Sequence, residues 1–215
     1  MDTERPSEQP VAAHGVRRHL RLLIASILIL LGIVGVSYPF LPAIAYRLHP
    51  PKPVLPYGDN TAAAGLLQAR FGSLPVVQQR TVPDGHRLLI PTIGVNVQIV
   101  EGQNESALDR GGVWRIPSTS TPVSGSNTVI SGHRWKYLPP SSISLYLLDK
   151  VQDGDPIMIL WDKKVFTYRV RGREIVTPDR TDILHGTDQP TLTIFTCTPL
   201  FSTSHRLVLY ADLIS

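Results

Sequence analysis

The chain has one cysteine, Cys197, among its 215 residues. No disulfide can form within it. A lone thiol is either a small buried hydrophobe or a free reactive group. Aromatic residues make up only 7%, and no basic stripe with interleaved aromatics is present. The usual footprint of a nucleic-acid binder is therefore missing, and the net charge of +4 does not restore it. Residues 1–21 carry four Lys/Arg and three Asp/Glu, whereas residues 85–215 carry 13 Lys/Arg and 12 Asp/Glu, so the globular part is close to neutral. There is no acidic cluster to suggest a calcium site, and neither a metal nor a cofactor is expected. Internal repeats and long low-complexity tracts are also missing.

Formal charge is absent from residues 22–46, a run of 25. Residues 22–36 are almost wholly aliphatic, and about 20 apolar residues cross a bilayer core. Arg17, Arg18 and Arg21 precede the run, and the next basic residue is Arg47. The positive-inside rule leaves residues 1–21 in the cytoplasm and exports the rest, giving a single-pass cell-membrane protein. Tyr38, Phe40 and Tyr46 suit the far interface. A cleaved signal peptide is the competing reading. The basic start fits it and Ala43-Ile44-Ala45 resembles a cleavage site, but the apolar run exceeds the usual stretch of about 7–15 residues. Both readings place the remainder outside the cytoplasm.

Pro50, Pro51, Pro53 and Pro56 make residues 47–60 read as a stiff, extended stalk. Residues 62–71 suit a short helix ended by Gly72, and 73–85 read as connecting chain. Residues 47–85 are thus stalk and linker, and 86–215 form the folded domain. There, helix-period patterns are scarce and strand patterns recur. The predicted strands are Arg87–Ile90, 95–99, Asn127–Ser131, Pro156–Trp161, 164–171, 173–176, 191–196 and 206–211. Asp162-Lys163 signals a hairpin, and Phe166, Tyr168 and Val170 share one face of the strand after it. Residues 143–150 read as a short helix. Eight short strands with irregular connections suggest a closed, mainly β barrel with short helices, preceded by one N-terminal transmembrane helix. An open β-sandwich is the main alternative.

The strand before Pro199 ends at Cys197, and the loop of residues 198–205 leads to a strand opening at Arg206. If these strands pair antiparallel, about 4.8 Å apart, Cys197 and Arg206 are rim neighbours. His133 follows Asn127–Ser131 after Gly132, so it projects from a strand end. Singly, each has a bland reading: a buried thiol, a loop histidine, a solvated arginine. Jointly they suffice for acyl transfer. A neighbouring cation lowers a thiol's pKa, an oxyanion needs fixed donors, and a leaving amine takes a proton from histidine near neutral pH.

Thr193-Ile194-Phe195-Thr196-Cys197-Thr198-Pro199 resembles the sortase active-site strand, usually written TLxTC. Arg206-Leu207-Val208-Leu209 is similar to the following strand with the family's essential arginine. Asn127-Thr128-Val129-Ile130-Ser131-Gly132-His133-Arg134 resembles the histidine segment, and Ile90-Pro91-Thr92-Ile93-Gly94-Val95 the early hairpin. Ile194 replaces the pattern's Leu, and Ser131 stands where a small apolar residue is common. The resemblance spans residues 86–215. It implies an eight-stranded sortase barrel with Cys197 as nucleophile, His133 as proton-transfer partner and Arg206 as substrate and oxyanion clamp. The nine-residue Cys-to-Arg interval looks more like the housekeeping-type sortases of high-GC Gram-positive bacteria.

The implied activity is a membrane-anchored transpeptidase. It would cleave an LPxTG-like sorting signal through a thioester on Cys197 and pass the acyl chain to an amine of a cell-wall precursor or a pilin lysine. The partners are then proteins with C-terminal sorting signals, the amine acceptor and the membrane through residues 22–46. A papain-like Cys/His hydrolase fits less well, because there Cys precedes His. A tethered β-domain that only binds a partner would bury Cys197 as an inert thiol.

Overall fold

A computed structural model describes residues 12–49, 54–55, 61–72, 77–78, 84–139 and 141–215. The chain divides into two compact units, Met1–Leu41 and Pro42–Ser215. Helix α1 spans Ala12–Ser37, a 3₁₀ turn at Tyr38–Phe40 follows, and α2 spans Leu41–Leu48. The stretch Arg18–Leu48 is long and apolar enough to cross a membrane, and its most apolar 18-residue window has a mean hydropathy of 2.5. Most of the expected proline stalk falls outside the described residues. Helix α3, Thr61–Phe71, lies inside the segment read as linker, yet it packs onto the folded domain. Its Ala63 and Leu67 are buried with Leu89 and Met158, and Arg70 pairs with the buried Asp155 at 3.1 Å.

Eight strands close into a barrel: β1 Arg87–Ile90, β2 Val95–Val100, β3 Val113–Arg115, β4 Asn127–Ser131, β5 Pro156–Trp161, β6 Lys164–Val176, β7 Thr191–Thr198 and β8 His205–Leu213. Their order around the barrel is β8-β6-β5-β1-β2-β3-β4-β7. β2–β3 and β4–β7 pair parallel, and the other neighbours antiparallel. Alternating residues of all strands meet inside, among them Leu88, Val97, Ile130, Ile159, Tyr168, Ile194 and Leu209. Each apolar side chain removed from water there stabilises the fold by about 1.5–3 kcal/mol before the cost of ordering.

The local chemistry accounts for the turns. Pro91–Ile93 forms one 3₁₀ turn, and Gly94 leaves it at φ 70°, a conformation glycine adopts without a steric penalty. Asp162 and Lys163 both have positive φ, 48° and 64°, as a two-residue I′ hairpin requires.

The barrel has eight strands as expected, but their membership differs. Residues 164–171 and 173–176 form one strand that runs through Gly172, paired along its length with β5 and β8. The barrel strand not foreseen is β3, whose three residues are too few to display a period; outside the barrel, Val54–Leu55 and Val77–Gln78 pair parallel in segments read as stalk and connecting chain. Residues 143–150 are no α-helix; only Leu148–Lys150 makes a 3₁₀ turn. There Leu145, Tyr146, Leu147 and Leu148 are all buried in the barrel core, so a continuous apolar run came from a turn that plugs the interior. The β7–β8 connection is shorter than foreseen, because β7 reaches Thr198 and β8 begins at His205.

Candidate active site

Leu192 and Ile194 of β7 face the interior cluster. Strand alternation therefore turns Phe195 and Cys197 outward. On β8, Leu207 and Leu209 face inward and Arg206 and Val208 outward. Cys197 and Arg206 are directly paired in the β7–β8 register, so their side chains leave the same face of adjacent strands. On the other flank, β4 runs parallel to β7 with Ser131 opposite Phe195. Continuing that register by two residues brings His133 level with Cys197. The three residues meet at the strand ends, on the outward wall of the barrel rather than over its lumen. They share a cavity of about 660 Å³ with Leu108, Trp114 and Phe195.

The histidine segment is fixed against β7. Gly132 N–H donates to Phe195 O at 3.2 Å, and Thr196 Oγ1 donates to Gly132 O at 2.7 Å. Glycine is needed at 132 because a Cβ would lie 2.6 Å from Leu145 Cδ1 and 2.9 Å from Val113 Cγ1. Beyond it, Leu145 N–H donates to His133 O at 3.2 Å.

Burial lowers the pKa of His133 below its ordinary value, and the Lys136 ammonium lowers it further; Asp109 and Glu105 oppose the shift. The shift favours the neutral imidazole, the form that can accept a thiol proton. Its Nε2 is buried without a hydrogen-bond partner, so no hydrogen bond joins that atom to Cys197. Cys197 is half-buried and a free thiol. Arg206 Nη1 donates to Thr203 O at 2.8 Å and His205 O at 3.1 Å. Among the described residues Arg206 has no carboxylate partner, which leaves guanidinium N–H groups for an acceptor in the cavity. Among the described residues no group of three His, Cys, Asp or Glu side chains could hold a metal ion.

Three further features were not singled out from the sequence. Arg134, beside His133, is buried, and its Nη1 donates to Thr198 Oγ1 at 2.7 Å. Asn127 Nδ2 donates to Ile183 O and His185 O at 3.0 and 2.9 Å, and its Oδ1 accepts from Thr193 Oγ1 at 2.8 Å. It thereby holds the β6–β7 connection against the outer wall. Lys136, which lines the cavity, pairs with Asp109 at 2.9 Å. A charged residue inside an otherwise buried segment signals Arg134; nothing local signals the other two.

Comparison with known proteins agrees with this geometry. The sortase domain family model matches residues 88–214. The chain is 26% identical over 142 residues to sortase SrtE1 of Streptomyces coelicolor, which covers 59% of this chain and 39% of that protein's length. Among solved structures, a lid mutant of sortase A from Corynebacterium diphtheriae superposes with a TM-score of 0.55 at 28% identity, over 64% of this chain and 73% of the other. The complex of Streptococcus agalactiae sortase C1 with MTSET gives 0.54 at 32% identity, over 60% and 68%. The match begins in the first barrel strand and ends just past the last, and it takes in the segments bearing His133, Cys197 and Arg206; this chain belongs to the sortase family.

Proposed function

We propose that the chain is a membrane-anchored cysteine transpeptidase acting on a C-terminal sorting signal of the LPxTG kind. The observation that carries this reading is the register: Cys197 stands between Arg206 on one neighbouring strand and the His133 segment on the other, all lining one cavity. His133 takes the thiol proton, and the thiolate attacks the carbonyl carbon of the signal's threonine. Arg206 donates hydrogen bonds to the oxygen that gains charge. The C–N bond then breaks, the leaving amine takes the proton from His133, and a thioester remains on Cys197. An acceptor amine, from a cell-wall precursor or a pilin lysine, attacks the thioester and gives its proton to His133. Thiolate leaves, and a new amide forms.

Anchoring rests on the apolar helix. Ile29, Leu30 and Leu31 are each more than 60% exposed, a cost that a surrounding bilayer removes. The arginines before the run support a cytoplasmic N-terminus and an outside location for residues 86–215, read as the catalytic domain. The half-exposed thiol counts against an inert binding module.

The test is incubation of the protein with sorting peptides and an amine, with products identified by mass. A thioester adduct of the protein and an amide-linked product are expected. Persistence of the adduct in Cys197→Ala would sink the assignment.

A further inference from the structure

Arg134 and Asp155 are the two charged side chains counted as buried among the described residues. Asp155 lies with Arg70 at the α3 contact. Arg134 is 6% exposed and lies directly after His133. Its guanidinium reaches four fixed acceptors. Nη1 donates to Thr198 Oγ1 at 2.7 Å and to the carbonyl oxygen of Cys197 at 3.4 Å. Nε donates to Tyr146 O at 3.4 Å, and Nη2 pairs with Asp149 Oδ1 at 3.0 Å. Ser144 Oγ in turn donates to Arg134 O at 3.2 Å, so the backbone of the histidine segment is held from the same side.

Burying a guanidinium is expensive, and an apolar side chain of similar volume would fill the space without that cost. What the guanidinium adds is direction. Its planar fork can bond several acceptors at fixed angles, which a lysine ammonium cannot reproduce. Here one prong grips the nucleophile's own carbonyl and the next residue's hydroxyl, while the backbone it springs from carries His133. The other prong is pinned by Asp149, which Lys150 holds at 2.6 Å.

We propose that Arg134 is a positioning residue that sets the spacing between His133 and Cys197, tying the segment after β4 to the end of β7. The inference rests on the transpeptidase reading above. It does not require Arg134 to touch substrate. Catalysis that depends on a proton moving between two side chains is sensitive to their separation, and a misplacement of about 1 Å costs on the order of 100-fold.

The test uses the full chain in detergent with a sorting peptide and an amine acceptor. Arg134→Lys keeps the charge but loses the fork, and Arg134→Met keeps only the volume. Both are expected to lower kcat about 30- to 100-fold, with KM within about threefold of wild type. Thr198→Val removes the closest acceptor while leaving Arg134 in place, and should lower kcat severalfold with little change in Tm. Hydrogen exchange at amides 132–134 reads the same tether without turnover and should quicken in all three variants. If Arg134→Met fails to fold, Thr198→Val decides. The proposal is overturned if these variants keep wild-type kcat and amide exchange while only Tm falls. It is also overturned if Arg134→Lys is fully active while Arg134→Met shifts the pH profile of Cys197 alkylation, since charge and not geometry would then be at work. Failure of wild-type protein to form any thioester would instead refute the enzymatic reading; the exchange experiment would still judge the tether.

Discussion

Gly132→Ala tests whether the placement of His133 is set by packing. The residue's φ is not positive, so an added methyl brings no backbone penalty and only its contacts count. Its Cβ would stand 2.6 Å from Leu145 Cδ1, 2.9 Å from Val113 Cγ1 and 3.1 Å from Leu145 Cγ. Carbon atoms rest at about 3.5–4.0 Å, so roughly 1 Å must be found. Leu145 and Val113 are both 0% exposed and cannot step aside into solvent. Overpacking of this kind costs about 1–3 kcal/mol, which for a chain of this size lowers Tm by about 3–10 °C. Part of the strain should move the segment carrying His133, and a shift of about 1 Å there predicts a fall in kcat on the order of 100-fold. Calorimetry and peptide turnover at 25 °C measure the two effects. A double-mutant cycle adds a check. Leu145→Ala alone should cost about 2–5 kcal/mol, but in Gly132→Ala its space receives the new methyl, so the two losses should fall short of additivity by about 1–2 kcal/mol. Wild-type Tm and kcat in Gly132→Ala would refute the packing argument.

The electrostatics around His133 give a signed pH prediction. Lys136 lowers its pKa and Asp109 raises it. Lys136→Gln should therefore move the acid limb of kcat/KM upward, and Asp109→Asn should move it downward, both read from pH–rate profiles. Because folding favours the neutral imidazole, this group's stability contribution is full above its ordinary pKa of about 6.5 and is lost as pH falls from there through its lowered value in the folded protein. His133→Gln should accordingly lose less stability than wild type between pH 7 and 5 in urea titrations. Asn127→Ala leaves the buried Ile183 carbonyl, the part-buried His185 carbonyl and a threonine hydroxyl short of a partner and should destabilise by about 1–3 kcal/mol, measured in the same way. A fragment beginning at residue 84 should melt several degrees below one beginning at 61, because loss of α3 uncovers Leu89 and Met158 and removes Arg70 from Asp155.

Much of the barrel could be read from residues. Period-2 alternation located β2 and the start of β6; β4 was legible from its β-branched residues and β5 from the Asp162-Lys163 hairpin signal, because both are buried on both faces and show no alternation. Short β3 escaped because three residues show no period. The plug at Leu145–Leu148 misled because periodicity cannot identify a turn whose successive side chains all enter a barrel mouth. Within the site, the direct pairing of Cys197 with Arg206 followed from chain order and an assumed antiparallel partner, which the register supplies. His133 was different. Its proximity depends on β4 pairing parallel to β7, a long-range choice with no local signature; only motif resemblance suggested it. Asn127 likewise acts on carbonyls 56 and 58 residues away, out of reach of any local pattern.

The register also explains which parts of the site are fixed and which are free to vary. His133, Cys197 and Arg206 emerge from three laterally adjacent strands, so a one-residue slip of β7 would turn Cys197 into the core and bring Thr196 or Thr198 outward. That slip is opposed from both sides, by the inward Leu192 and Ile194 and by the paired Leu207 and Leu209. The placement of the three residues is thus held by the barrel's own hydrophobic pattern, independently of the loops. The cavity walls are not. Leu108 comes from the 3₁₀ segment Glu105–Arg110, Pro178 from the β6–β7 connection and Thr203 from the β7–β8 connection. Each can change without disturbing the alternation that sets His133, Cys197 and Arg206. Differences in the peptide accepted should therefore arise in those loops, while substitutions on β4, β7 and β8 should act on rate.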